Sequence, residues 1–408
     1  MSYIRENSQS ATVFRYYLNL GSNLGNPREN ISKAIGCIEN MFGKGISSKM
    51  VESEPWGFDS TNSFVNVGFV LDSELPPLVM LQKLKGVEKG LSSVAHRNAD
   101  GSYRDRKIDI DIMTVWAGHE LTFSTSELTL PHAHLNERPF FTAPLQELYD
   151  LKHLIIRKNG RDTFVLLDED GNPPTLRQTS QVPLYTVFRF GDIAIASEAK
   201  SDYAIEGFSW VELRKSWGRL GDDRWALASK AAELVNWDNE TRFCGRCGKL
   251  MMRTGEIQKT CSGCGTERFP KLSPCVLALV EKGDEALLVH GTAMKNGMHA
   301  LVAGFVETGE TLEECVCREV YEETGMRITN IRYFGSQSWP FPGQLMTAFR
   351  CDWESGEPHW ADGELNAGGF MNRNRIERLL SEESPETFSL PTLPSLSRRL
   401  IEAWRNDL

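Results

Sequence analysis

The chain has 408 residues, 40% hydrophobic and 25% charged, enough for two to four domains with separate cores. A formal net charge of −10 argues against broad, non-specific nucleic-acid binding, and no apolar run approaches the roughly 20 residues of a membrane-spanning helix. The nine cysteines, four in two CxxC pairs and five scattered, are not a secreted disulfide framework; with the polar opening "MSYIRENSQS" they predict a cytoplasmic protein without a signal peptide.

"RYYLNLGSNLGNP" predicts a strand that runs into a Gly/Asn turn. Asn26 caps the helix that follows, with Pro27 in its first turn. Ile31, Ala34, Ile35, Ile38 and Phe42 keep helical spacing, and Gly43 stops it. A second strand is read over 62–72, a second helix over 76–91 and a third strand in "KIDIDIMTVW". In that strand Ile108, Ile110 and Ile112 point one way, and Asp109 and Asp111 the other. Aspartate is disfavoured in strands, and two like charges on one face repel, so the pair calls for a functional reason. Strands alternating with helices over so short a span predict an α+β layer of helices on a sheet. Residues 158–238 show short strands ("DTFVLL", "YTVFRFG") and one helix, "RWALASKAAELVNW". With no catalytic constellation there, a β-rich spacer or dimerisation domain is expected.

"FCGRCGKLMMRTGEIQKTCSGCG" places Cys244, Cys247, Cys261 and Cys264 as two CxxCG knuckles, whose glycines let backbone approach sulfur closely. Two such knuckles supply four thiolates to a tetrahedral Zn²⁺, which has no open position and so is structural. The alternative, four reduced core cysteines, does not account for paired spacing with paired glycines.

Further on, Thr311 and Glu314 form a capping box that starts a helix near Leu312, and Gly325 ends it. Leu312, Cys315, Val316 and Val320 make the apolar stripe. Glu319 and Glu323 continue that stripe, with Glu322 at its edge. Unpaired buried carboxylates are strongly destabilising, and a divalent cation removes the penalty. An exposed acidic helix end would not be preceded by an apolar stripe leading into it.

Gly304, Glu310, Arg318, Glu319, Glu322, Glu323 and Gly325, with Val320 and Met326 at the apolar positions, fit the Nudix box. The four-cysteine ribbon before it and "SQSWPFPGQLMTAF" after it resemble the NADH pyrophosphatase subfamily of Nudix hydrolases. The resemblance implies a Nudix α/β/α sandwich, often homodimeric, that hydrolyses the pyrophosphate of NAD(H) to AMP and nicotinamide mononucleotide. It implies Mg²⁺ or Mn²⁺ on Glu319, Glu323 and Glu364 with the Ala303 carbonyl, and proton transfer by a glutamate of the cluster, Glu322 included. The implied substrate loop is Gln337, Ser338, Trp339, Pro340, Phe341, Pro342, Gly343 and Gln344, with Arg214 and Glu256 as further contacts. Phe269 stands where the family usually has tyrosine. NAD-capped RNA or another dinucleotide is the rival substrate.

"NLGSNLGN", "FVNVGFVL", "RKIDIDIM" and "LPHAHLNERPFF", in that order, resemble the 6-hydroxymethyl-7,8-dihydropterin pyrophosphokinase family. That resemblance implies a ferredoxin-like α+β fold and pyrophosphate transfer from ATP to a pterin, part of folate biosynthesis. It implies Mg²⁺ on Asp109 and Asp111, nucleotide contacts from Arg97, Arg106, His132 and Arg138, and Glu88 on the nucleotide side. Asn66 would bond the pterin between Phe64 and Phe140, beside the loop Pro55, Trp56 and Gly57. Glu127 stands where the family commonly has arginine; a non-catalytic ligand-binding module is the rival reading of this domain. The expected division is a kinase-like domain over 1–157, a spacer over 158–238, a zinc ribbon over 239–270 and a Nudix domain over 271–408.

Overall fold

The computed structural model describes residues 12–92, 103–160, 162–180, 188–190, 193–196, 204–255, 257–292, 294, 297–360, 363–380, 389–392 and 394–406. Its chain divides into two units, residues 1–159 with 163–212 and residues 160–162 with 213–408. The strands of the expected spacer, up to Glu212, therefore group with the first unit, and its helix groups with the second.

In the first unit, β1 (Phe14–Ser22) leads to α1 (Pro27–Phe42), where the Asn26 side chain accepts from the Glu29 N–H and Pro27 opens the helix. The chain continues through β2 (Ile46–Ser47), β3 (Val51–Ser53), β4 (Phe64–Ser73), α2 (Pro77–Leu91), β5 (Asp109–Trp116) and α3 (Pro139–Asp150). The sheet runs β2-β4-β1-β5, with β3 also on β4, and its pairings are antiparallel. This is the strand order of a ferredoxin-like domain. Leu18, Leu20, Ile31, Ile38, Leu84, Ile108, Ile110 and Ile112 form the core beneath α1 and α2. Tyr17, Val70 and Met113 pack on the opposite face with Phe141, Leu145 and Leu148 of α3. Gly68 permits that second layer, because a Cβ there would meet Pro144 and Leu148 at 3.0 Å.

The helix α3 has no counterpart in the sequence reading. Pro144 lies inside it, where proline normally argues against a helix; burial of Phe141, Pro144, Leu145 and Leu148 outweighs that preference.

Arg15 holds the 162–180 segment onto this unit. Its side chain is 1% exposed, its Nε lies 2.9 Å from Asp72, and its Nη1 donates to the Thr179 carbonyl at 3.0 Å. Removing one partner of a buried ion pair typically costs about 3–5 kcal/mol. Arg15→Met is therefore expected to lower the urea midpoint of this unit clearly. Arg28→Met, which breaks an exposed pair with Glu52, is expected to cost under about 1 kcal/mol. Equal midpoints for the two variants would remove Arg15 as the staple.

In the second unit α4 (Trp217–Glu240) is longer than the predicted helix and is interrupted at Gly221, whose φ of 69° is not helical. A ribbon follows, made of strands Met251–Gly255, Gln258–Cys261 and Glu267–Arg268. The last sheet centres on Ser273–Lys282, which pairs in parallel with Gln344–Ser355 and antiparallel with Val302–Phe305. The helix α5 (Leu312–Thr324) covers one face through Cys315, Val316 and Val320. Helices Arg373–Leu380 and Leu396–Arg405 cover the other through Ile376, Leu400 and Trp404. The result is the expected α/β/α sandwich.

Candidate active sites

Asp109 and Asp111 lie on the edge strand β5, opposite Gly21 and Asn19 of β1, on the face away from the buried isoleucines. Two clefts meet at this pair. One is lined by Trp56, Phe64, Asn66 and Phe140, the other by Glu88, Glu127, His132 and His134, and Arg106, Arg138, Asp109 and Asp111 line both. The second cleft has a volume of about 460 Å³. The first is narrower, about 30 Å³. The Arg138 guanidinium, 3.9 Å from the centre of the Trp56 ring, forms part of its wall.

Electrostatics around the pair are strained. Burial, then the charge of Asp109, push the Asp111 carboxyl above the usual carboxylate range, and Arg106 and Arg138 oppose the shift. Arg106 pairs with Asp109 at 3.0 Å. The Glu88 carboxylate accepts from the Ile110 N–H at 2.7 Å and so satisfies an edge-strand donor between the two aspartates. Burial pushes His132 down to about 4, so it is neutral at pH 7. Its Nδ1 accepts from the His134 N–H at 3.2 Å, which leaves Nε2 protonated, 3.9 Å from Asp111. Asn66 accepts from Asn19 and donates to Ser53. Pro55 and Gly57 flank Trp56 in the same loop, and Arg97 lies outside the described residues.

The four ribbon cysteines converge: their Sγ atoms all lie within 4.8 Å of one another. That spacing suits four thiolates around one metal ion. Beyond the ribbon, α5 begins at the predicted capping box, with the Thr311 side chain accepting from the Glu314 N–H. Glu323 is 5% exposed and Glu319 half-buried, as the stripe predicted. Gly304 makes room for Glu319, since a Cβ at that position would lie 1.8 Å from the carboxylate carbon. The Ala303 carbonyl belongs to the residue just before. Burial raises the Glu319 carboxyl, and Arg318 opposes the rise while Glu322 and Glu364 add to it. Arg318 ties the motif together, bonding Glu310 at 2.7 Å, Glu319 at 2.8 Å and Glu322 at 2.9 Å. Its contact holds Glu310 down to about 2.

The loop after Arg327–Trp339 gathers aromatic surface. Trp339 and Phe341 meet at 5.2 Å, and the exposed Arg214 guanidinium lies 4.4 Å from the Phe341 ring. Ser338 donates to Glu233. Gln337 is bonded twice, to the Pro394 carbonyl and the Leu396 N–H, and so anchors the loop. Glu256 lies outside the described residues. Sequence reasoning missed Asn19 and Tyr103, which line the first cleft; Asn19 stands within "NLGSNLGN", so strand parity with Gly21 was the available signal.

Residues 17–150 match the family model described as 7,8-dihydro-6-hydroxymethylpterin-pyrophosphokinase, and residues 271–389 match the NUDIX domain. A relative from Pseudomonas aeruginosa, named NAD-capped RNA hydrolase NudC, is 33% identical over 215 residues, covering 52% of this chain and 73% of its own. The chain belongs to the NudC family of Nudix hydrolases. A NudC relative from Chromobacterium violaceum is 36% identical over 212 residues, covering 52% of this chain and 76% of its own. One from Vibrio parahaemolyticus is 44% identical over 132 residues, 32% of this chain and 51% of its own. A solved NUDIX hydrolase from Nitrosomonas europaea matches 36% of this chain and 97% of its own, at 23% identity and a TM-score of 0.29. The NudC half is thus joined to an N-terminal pyrophosphokinase domain.

Proposed function

We propose that the chain is a bifunctional enzyme. Its first unit transfers pyrophosphate from ATP to 6-hydroxymethyl-7,8-dihydropterin. Its second hydrolyses the pyrophosphate of NAD(H) to AMP and nicotinamide mononucleotide. The observation that carries the first activity is the meeting of two unlike clefts, one aromatic and one polar, at Asp109 and Asp111. The second rests on the carboxylates of α5 facing a strand whose Gly304 leaves space for them.

In the kinase, Asp109 and Asp111 have the donor chemistry and the open face that Mg²⁺ requires, and the ion would neutralise phosphate charge. Arg97, Arg106, Arg138 and the Nε2–H of His132 hold the triphosphate. Asn66, Phe64 and Phe140 hold the pterin so that its hydroxymethyl oxygen lines up with the phosphorus. In the Nudix domain, Glu319, Glu323, Glu364 and the Ala303 carbonyl form an all-oxygen donor set suited to Mg²⁺ or Mn²⁺. Such ions supply an acidified water and a polarised pyrophosphate. A glutamate of the cluster would accept the proton of the attacking water, and Arg318 orients Glu322 at 2.9 Å. Trp339, Phe341 and Arg214 offer a platform for the dinucleotide.

The deciding experiment is product analysis after Mg²⁺ incubation with NADH, NAD⁺ and ADP-ribose, and separately with ATP plus the pterin. AMP dependent on both ATP and pterin supports the kinase; its absence from active, folded protein leaves the non-catalytic module. NAD-capped RNA is the second reading, favoured by the names of the relatives. Faster cleavage of a capped oligonucleotide than of NADH would favour it. A homodimer is also proposed, because Phe243, Leu250, Met252, Phe269 and Leu272 expose apolar surface on and beside the ribbon. Sedimentation as a monomer would remove that assignment. Among the described residues no helix is long and apolar enough to cross a membrane, and a cytoplasmic location is proposed.

Zinc is proposed for the cysteine cluster, and thiolate ligation couples metal to local folding. Purified, reduced protein is expected to contain one zinc per chain, and Cys261→Ser to release it and loosen the ribbon. Metal analysis showing no zinc in fresh wild type would overturn this.

A further inference from the structure

Asn23 is 4% exposed, and its polar groups are spent on the segment that carries Arg106 and on Asn62. Its N–H donates to the Arg106 carbonyl at 3.2 Å, and its Oδ1 accepts from the Arg106 N–H at 2.9 Å. Its Nδ2 donates to Asp105 at 2.7 Å and to the Asn62 carbonyl at 3.2 Å. The Asn62 side chain donates to the other Asp105 oxygen at 2.8 Å. Asp105 thus joins the end of β1, the loop that continues from Trp56, and the residue before Arg106. These donors are among the causes that hold its carboxyl below the usual range.

What this network holds is chemically central. The Arg106 guanidinium pairs with Asp109 and lies 5.6 Å from the Phe64 ring and 5.4 Å from the Tyr103 ring, where the two clefts meet. An arginine has several freely rotating bonds, so its charge is placed accurately only if its backbone is immobile. Asn23 fixes the N–H and the C=O of that backbone at once.

We propose that Asn23, together with Asp105 and Asn62, is a positioning residue for pyrophosphoryl transfer that sets Arg106 against the aspartate pair and ties the pterin loop to it. The inference rests on the kinase reading above. Asn23 touches neither substrate cleft directly; it acts through Arg106.

The test is a charge swap in the full chain, read as kcat and KM for pterin-dependent AMP release, with NADH hydrolysis and thermal melting followed in parallel. Asn23→Asp keeps the acceptor for the Arg106 N–H but sets a carboxylate against Asp105. The displaced Arg106 is expected to lower kcat by about 100-fold, the scale of a misplacement near 1 Å, with NADH hydrolysis unchanged. Combining it with Asp105→Asn restores a donor facing an acceptor, while a carboxylate oxygen still faces the Asn62 carbonyl to which the Asn23 amide donated at 3.2 Å, so a partial return of the rate is expected. A wild-type kcat in Asn23→Asp, or a double variant no better than the single, overturns the proposal. Should Asn23→Asp fail to melt cooperatively, the exposed Asn62→Ala decides. It is expected to raise the pterin KM several-fold and leave the ATP KM alone, and an unchanged pterin KM overturns the coupling. If wild type makes no pterin-dependent AMP, the kinase reading fails by itself. Calorimetric binding of Mg-ATP then tests the network, and equal Kd in wild type and Asn23→Asp overturns it.

Discussion

Glu323→Gln is expected to reduce NADH hydrolysis by roughly a thousandfold, the scale of removing one electrostatic stabiliser from a water-excluded site. The glutamine keeps size and hydrogen bonding but removes the charge that a divalent cation needs. Glu323 is buried on α5, and its charge, with that of Glu319, helps push the nearby Cys275 thiol up to about 12; burial is the larger cause. Removing one of these crowded charges relieves repulsion, so the metal-free variant should melt no lower than wild type. Pterin-dependent AMP release should be unchanged, because that chemistry is proposed for the other unit. A near-normal NADH rate in Glu323→Gln would sink its assignment as a metal donor.

Asp111→Asn is expected to abolish pterin-dependent AMP release while NADH hydrolysis continues. Its stability signature follows from the carboxyl. Burial and Asp109 raise the folded-state pKa of Asp111 above the unfolded value. Between the two values the folded state binds more protons, so metal-free wild type loses stability as pH rises from the ordinary carboxylate range toward neutrality. Asp111→Asn lacks that loss and should be no less stable at pH 7, whereas a structural salt-bridge role predicts a less stable variant. Urea titrations in chelator at pH 5 and pH 7 measure the difference. Full kinase activity in the variant would refute Asp111 as a metal-holding residue.

Where a site is built within one element, its pattern was readable along the chain. The Ile/Asp alternation of 107–113, the capping box at Thr311 and the stripe from Leu312 to Glu323 each appear in the structure as read. Paired CxxC knuckles at separated positions were also legible, because each half carries its cysteines at a fixed local spacing, and the structure brings the four Sγ atoms together. The helix α3 was hidden by Pro144, whose local preference is overridden by packing on β4. The spacer was read as one piece because composition does not report which neighbour a strand pairs with; the pairing of Ile193–Ala196 with Lys152–Asn159 and the bonds of Arg15 group its strands with the first unit.

The sequence by itself therefore determined the chemistry: which residue types recur at helical, strand or knuckle spacing, and hence where carboxylates and thiolates concentrate. Tertiary structure alone decided how those groups meet. Asn23 reaches Arg106 across 83 positions, Arg15 reaches Thr179 across 164, and Gly304 vacates space for Glu319 from a different element. Such contacts follow from the close packing of whole layers, which no local periodicity encodes.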